Sequence, residues 1–250
     1  MTIQLWNTAS AHLELPNGIA WRDIDRRMNV PWERLDGPGA VESGKSTMEP
    51  RRFELRGSIW YPDNALVETA RDDILAFLRL APIDIARYQG ADRTIRAIPT
   101  GIPERWLNLR TELQLRIPFV AVDPYFYGAL YDETEEITST PHTWTIPAAG
   151  NENVEPVVTF IIEGGAAEDI ELSNGDQSIE LEGEWADGTE IVVDNARYLV
   201  TVDDLPAMEH ATQDWLLDGF VVGPDDTELT FTADSLSSVH VTTRYRPRWI

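Results

Sequence analysis

The chain reads as a mainly β protein. An N-terminal β-sheet or split-barrel-like domain carries one covering α-helix, and a C-terminal antiparallel β-sandwich follows. Three observations predict this class. Period-two alternation of apolar and polar residues recurs along the chain, the mark of strands with one buried face. Only one long stretch, about 64–80, repeats its apolar residues at helical spacing. Charge and turn chemistry then change character near residue 130, as expected where one domain gives way to another.

The first fifty residues are irregular, punctuated by Pro16-Asn17-Gly18, Asp36-Gly37-Pro38-Gly39 and Pro50. Short strands are expected near Ile3–Trp6 and Gly18–Trp21. From Arg52 the pattern sharpens. Phe53, Leu55, Ile59 and Tyr61 alternate with Glu54, Arg56, Ser58 and Trp60, as in a half-buried strand. Pro62-Asp63-Asn64 breaks it, and Asp63 or Asn64 is suited to cap the helix that follows. Leu66, Val67, Ala70, Ile74, Phe77 and Leu78 form that helix's apolar face, and Pro82 ends it. Short strands are expected near Ile85–Tyr88 and Thr94–Ile98. A long strand then sets Leu107, Leu109, Leu113, Leu115, Ile117 and Phe119 on one face. Trp106, Asn108, Arg110, Glu112, Gln114 and Arg116 take the other. A strand this long beside one helix fits a sheet covered on one side.

Asp123-Pro124-Tyr125-Phe126-Tyr127-Gly128 closes a first domain of residues 1–130. Residues 131–152, rich in acids, Thr, Pro and Gly, read as a linker, and 153–250 as an acidic sandwich. Its expected strands are Val157–Ile162, Ser178–Trp185, Glu190–Val193, Tyr198–Val202, Glu228–Thr232 and Val239–Tyr245. Gly164-Gly165, Asn174-Gly175 and Asp187-Gly188 read as the turns between strands. No solenoid or propeller repeat is present.

The formal net charge is -23, from 43 Asp and Glu against 20 Lys and Arg. Lys45 is the only lysine. Abundant acid with almost no lysine fits a protein of a salt-loving organism, where screening relieves self-repulsion. The acid is unevenly spread. Residues 1–130 hold 17 acidic and 16 basic residues, a net of -1; residues 131–250 hold 26 acidic residues and 4 arginines, a net of -22. The acidic half is a poor nucleic-acid binder, because phosphate contacts need positive charge. Cysteine is absent, which excludes disulfides and thiolate chemistry. No apolar run approaches the roughly 20 residues of a membrane span, and the first ten residues lack signal-peptide character.

Residues that suggest chemistry do not assemble into a site. Gly39-Ala40-Val41-Glu42-Ser43-Gly44-Lys45-Ser46 matches the phosphate-loop pattern letter for letter. Such a loop must leave a buried strand and open a helix. Here Trp32-Glu33-Arg34-Leu35-Asp36 precedes it and Pro50 follows within four residues of Ser46, so a Gly-rich loop is expected. His12, His142, His210 and His240 are scattered without metal-ligand spacing. Asp203-Asp204 and Asp225-Asp226 read as solvated turns, with no EF-hand loop around them. No GxSxG elbow occurs, and among so many carboxylates a glycosidase pair has no specific support. No catalytic, cofactor-binding or metal residue is expected. Trp185 lies on the apolar face of its strand and is expected in the core. Trp215 is less determined and is the one candidate carbohydrate contact.

Three stretches together resemble the siphovirus-type distal tail protein family. They are the strand–helix unit Arg52–Leu80, the long strand running through Phe119 to Asp123-Pro124-Tyr125-Phe126-Tyr127-Gly128, and a C-terminal module. That module opens on Asn151-Glu152-Asn153-Val154-Glu155-Pro156-Val157, passes through Gly188-Thr189-Glu190-Ile191-Val192-Val193-Asp194 and ends on Arg244-Tyr245-Arg246-Pro247-Arg248-Trp249-Ile250. The resemblance covers the chain from about Arg51 onward; residues 32–50 match nothing in it. It implies a structural virion protein at the tail tip, made in the host cytoplasm, with no catalytic residues and no cofactor. The first domain would form a hexameric ring on the tail tube, around the channel through which DNA leaves without specific binding. The second would be a galectin-like sandwich supporting receptor-binding parts or, in some members, binding carbohydrate. Implied partners are copies of itself, the tail tube protein, the tip or baseplate hub, and receptor-binding or fibre proteins. The acidic, lysine-poor composition departs from phages of ordinary bacteria and suggests the virus of a halophile.

The neutral first half can pack on itself without the Coulomb penalty of an acidic surface. Its aromatic and arginine residues Trp60, Tyr61, Trp106, Arg110, Tyr125 and Tyr127 are the expected assembly interface, being of the types enriched there. The competing reading is a carbohydrate-binding module or lectin-like adhesion protein. It rests on the sandwich half and leaves residues 1–130 unused.

Overall fold

A computed structural model describes residues 3–7, 12–15, 19–25, 28–29, 47–48, 50–86, 93–101, 108–109, 112–212, 215 and 219–250. Residues 39–46, with Lys45, lie outside them, as do Trp106 and Arg110. The chain divides into two units, Met1–Phe126 and Tyr127–Ile250.

The first unit runs β1 (Ile3–Asn7), β2 (His12–Leu15), β3 (Ile19–Asp25), β4 (Met28–Asn29), β5 (Thr47–Met48), β6 (Arg51–Trp60) and α1 (Asn64–Leu78). It continues with β7 (Ile83–Ala86), β8 (Thr94–Pro99), β9 (Asn108–Leu109), β10 (Glu112–Ala121) and β11, which begins at Phe126. The main sheet has the order β2-β1-β7-β8-β10-β6-β3, and β4 pairs with β5 alone. Its longest ladder joins β6 and β10 antiparallel, from Trp60 opposite Glu112 to Arg51 opposite Ala121. Alternation sorts this ladder into two faces. Phe53, Leu55, Leu113, Leu115, Ile117 and Phe119 are buried, and the Phe53 and Phe119 rings stack at 5.4 Å across the pair. Burying a side chain of this kind contributes about 1.5–3 kcal/mol.

Helix α1 starts where Asp63 accepts a hydrogen bond from the Leu66 N–H at 2.9 Å, satisfying one of the free amides of the first turn. Val67, Ile74, Phe77 and Leu78 are buried, whereas Leu66, expected on the apolar face, is exposed. The strand expected over 107–119 is two elements. β9 pairs antiparallel with β10, Leu109 opposite Glu112 and Asn108 opposite Leu113, so Leu109 and Leu113 do not share a face as the alternation predicts.

The second unit contains β12 (Tyr131–Ile137), β13 (His142–Ile146), β14 (Val157–Ser173), β15 (Ser178–Trp185), β16 (Glu190–Asp194), β17 (Leu199–Val202), β18 (Leu205–Pro206), β19 (Thr227–Tyr245) and β20 (Arg248–Trp249). Two long strands, β14 and β19, pair along most of their length. The first part of β14 also pairs with β16 and the last part with β15. β19 pairs with β13 at its start and β12 at its end. Each long strand therefore serves both layers of the sandwich, with a single core of Val158, Phe160, Leu172, Ile191, Phe220, Phe231 and Val241 among others.

Two expectations change here. Gly164-Gly165 is not a turn between strands but a corner within β14, where the register with β19 shifts between Glu163 and Ala167. Both glycines have positive φ, and a Cβ on Gly165 would lie 2.3 Å from Ser237 Oγ. Only glycine lets the two strands bend together there. Likewise Glu228–Thr232 and Val239–Tyr245 are parts of one strand. The stretch 131–152, expected as a linker, carries β12 and β13, both hydrogen-bonded to β19. Its acids mask strands because β12 is exposed on both faces over most of its length: Asp132, Thr134 and Glu136 on one and Glu133 on the other.

Candidate assembly surface

No cluster of titratable side chains among the described residues could hold a metal ion. The described histidine rings take separate partners: His142 Nε2 meets Glu135 at 3.0 Å, His240 Nε2 meets Glu163 at 3.1 Å, and His210 Nδ1 meets the Glu182 carbonyl at 2.8 Å. Asp203 and Asp204, both at positive φ, form the two-residue turn between β17 and β18, and Asp203 Oδ1 accepts the Glu190 N–H at 3.1 Å. Asp226 Oδ1 accepts the Ala148 N–H at 3.0 Å. These carboxylates organise turns.

Trp215 corrects the carbohydrate expectation. It is 1% exposed, and its indole N–H donates to Asn195 Oδ1 at 2.7 Å. A ring packed in the core offers no face to a sugar. Its isolation from any clear strand pattern hid this in the sequence. Trp185 is in the core as expected, edge-on to His210.

The candidate interface residues of the first unit fall at two ends of one ladder. Trp60, 69% exposed, terminates β6 opposite the start of β10. Tyr61 follows it, half-buried, and burial together with nearby Asp73 raises its pKa above the usual phenol value. Tyr125 lies beyond the far end of β10, in a turn where Asp123 Oδ1 accepts its N–H at 3.3 Å. Nine residue steps of strand separate the ends, roughly 30 Å at about 3.4 Å per step. Tyr127, half-buried, belongs to the second unit. Trp106 and Arg110 lie outside the described residues.

On this face two exposed apolar residues lie outside the expected interface. Val122, 69% exposed, continues the outward face of β10, and Ile98 pairs opposite Val120 on the same face. An outward apolar residue at the end of an alternating strand was the available signal. Between the ends this face is polar and basic. Arg52, Arg56, Arg96 and Arg116 are exposed. Its carboxylates are withdrawn: Glu54 is 2% exposed and accepts Arg116 Nε at 2.7 Å, Glu112 is buried, and Asp84 holds Arg96 through two bonds of 2.8 and 2.9 Å.

The described residues thus form a two-unit, mainly antiparallel β protein. Residues 149–249 match the family of the siphovirus-type tail component, C-terminal domain. That family is a structural component of the viral tail, not an enzyme. Over the whole chain the fold is similar to that of the Dit (gp 19.1) protein of phage SPP1, described as a paradigm of the hub adsorption apparatus in phages infecting Gram-positive bacteria. The TM-score is 0.64 at 14% identity, with 100% of both chains covered. A chain of the phage P2 baseplate in its activated conformation with Ca matches at TM-score 0.45 and 8% identity, covering 97% of each chain, too distant to bear on the fold. No curated protein matches the chain.

Proposed function

We propose that this tail component is a distal tail protein that forms a ring joining the tail tube to the tail tip or receptor-binding apparatus, around the channel through which DNA leaves. The observation that carries the reading is the pair of unlike exposed ends on the β6–β10 ladder, Trp60 at one and Val122 with Ile98 at the other. A cyclic ring needs two different patches that meet head to tail, and one patch per end supplies them. The near-neutral charge of residues 1–130 supports self-packing by this half, leaving 153–250 to face solvent and peripheral partners. The hexameric count, the tail tube, hub and fibre partners, and the passage of DNA without specific binding follow from the family resemblance. The composition supports the virus of a halophile as its source. The lectin reading, which rests on the sandwich half, gains no stacking face from the buried Trp215.

Electron micrographs and mass photometry of the purified chain, with tail tube protein added, test the reading. Rings are expected, and Trp60→Glu or Val122→Glu should each abolish them while leaving the fold intact by circular dichroism. A wild-type chain that stays monomeric throughout, with no ring in micrographs, overturns it.

A further inference from the structure

Each unit places like charges directly opposite one another on a pair of strands. In the first, Arg56 on β6 faces Arg116 on β10 as Cα partners. Both are exposed, with the Arg116 side chain 70% open to solvent. Arg116 bonds the buried Glu54 carboxylate through Nε, whereas Arg56 makes no ion pair among the described residues. In the second unit, Glu168 on β14 faces Glu184 on β15, and both are exposed. Neither carboxylate has a hydrogen-bond partner among the described residues. The acids of β12 differ: Arg244 holds Asp132, the Tyr131 hydroxyl donates to Glu133, and His142 meets Glu135. Directly opposed like charges destabilise a strand pair. Both juxtapositions are therefore costs in the isolated chain, of opposite sign; Glu54 offsets one of the two arginines, and Glu168 stands at the edge of a register shift.

We infer that the Arg56–Arg116 face of one copy is a docking surface for the Glu168–Glu184 face of a second copy. The inference rests on the self-assembly proposed above and adds the chemistry of a second contact. Two guanidiniums meeting two carboxylates relieve both repulsions at once, and arginine's planar fork suits paired carboxylate oxygens. The contact is heterologous, as copies in a closed ring or between stacked rings require. Composition favours a protein occupant over nucleic acid. The arginines share their face with exposed Trp60, Ile98 and Val122, and arginine with aromatic residues marks protein interfaces. A phosphate backbone would instead call for a denser run of cations.

Charge reversal in the full-length chain tests this, with self-association followed by analytical ultracentrifugation. Arg56→Glu/Arg116→Glu should weaken association by about tenfold or more, since close interfacial charge pairs couple by more than about 1.4 kcal/mol. Glu168→Arg/Glu184→Arg should do the same. The chain carrying all four substitutions should recover to within about threefold of wild type, because the pairing is restored with its signs exchanged. Arg56→Gln with Arg116 retained serves if loss of the Arg116–Glu54 bond unfolds the double variant, and a weaker loss of association is then expected. Wild-type assembly unchanged by the arginine substitutions overturns this inference alone. So does failure of the fourfold variant to recover while still folded. Retention of duplex DNA by wild type, lost with Arg56→Gln, overturns it in favour of a nucleic-acid surface. A wild-type chain that never associates overturns both readings.

Discussion

The side-chain amide of Asn195 joins Trp215 to Pro156. Its oxygen accepts the indole N–H at 2.7 Å and its nitrogen donates to the Pro156 carbonyl at 2.7 Å. Asn195 is 1% exposed, so neither bond competes with water. Asn195→Ala would strand the buried Trp215 donor at about 1–3 kcal/mol, while the Pro156 carbonyl keeps the Asn195 backbone N–H at 3.3 Å. Trp215→Phe, losing the N–H and some volume, is expected to cost less, and Trp215→Ala about 3–5 kcal/mol. Urea titration of each variant checks the order. A Trp215→Phe variant less stable than Trp215→Ala would contradict this account of the network.

Gly128 and Trp249 make a second tight contact. A Cβ on Gly128 would lie 2.9 Å from the indole ring, while the Gly128 N–H donates to the Pro247 carbonyl at 2.8 Å. Gly128→Ala should therefore destabilise the second unit by about 1–3 kcal/mol through overpacking. Adding Trp249→Ala removes the clash, so the double variant should be more stable than the two single effects summed. A thermal-melt double-mutant cycle that shows strict additivity would exclude the contact.

Salt should stabilise the chain well beyond physiological concentration. Net charge in residues 131–250 is -22, and Glu171 opposite Glu180 adds a further like-charged pair to Glu168 opposite Glu184. Between about 0.1 and 1 M salt the Debye length falls from about 10 to about 3 Å, which screens this repulsion. Melting temperature is expected to rise by several degrees across a KCl series. A flat or falling series removes the electrostatic argument for a saline habitat.

Alkali should act through two tyrosines. The Tyr131 and Tyr245 rings lie 4.7 Å apart. Burial first, then the bond to Glu133, pushes Tyr131 up to about 12, and burial raises Tyr245 further still. In the folded state both hold their protons at pH values where the unfolded chain, near 10, releases them. Their stabilisation is thus present below about pH 10 and is lost progressively as pH rises toward the folded values. Melting temperature should fall above pH 10, and Tyr131→Phe should make that fall shallower. An identical alkaline profile for wild type and Tyr131→Phe would refute the assignment.

Much of the fold was legible because local rules and tertiary structure agree. The alternation around Phe53 and Leu55 predicts β6, and the Asp63 cap with Val67, Ile74 and Phe77 predicts α1. Where they part, the reason is physical. Leucine alternation reads as one strand over 107–119, and only the pairing of Leu109 with Glu112 shows that β9 lies antiparallel beside β10. A Gly-Gly pair reads as a turn from either side, and only the close approach of Ser237 makes it a corner.

By itself the sequence determined the β class, the one helix, the division of charge between the halves and the absence of a recognisable catalytic grouping. Each is a property of composition or of spacing along the chain. Tertiary structure alone decided which charges oppose one another and which aromatic residues remain outside. Trp60 and Trp215 are equally apolar as letters, yet one is 69% and the other 1% exposed. Strand register also sets Arg56 against Arg116, 60 residues away along the chain. Burial and register depend on partners distant in sequence, and no local pattern encodes them.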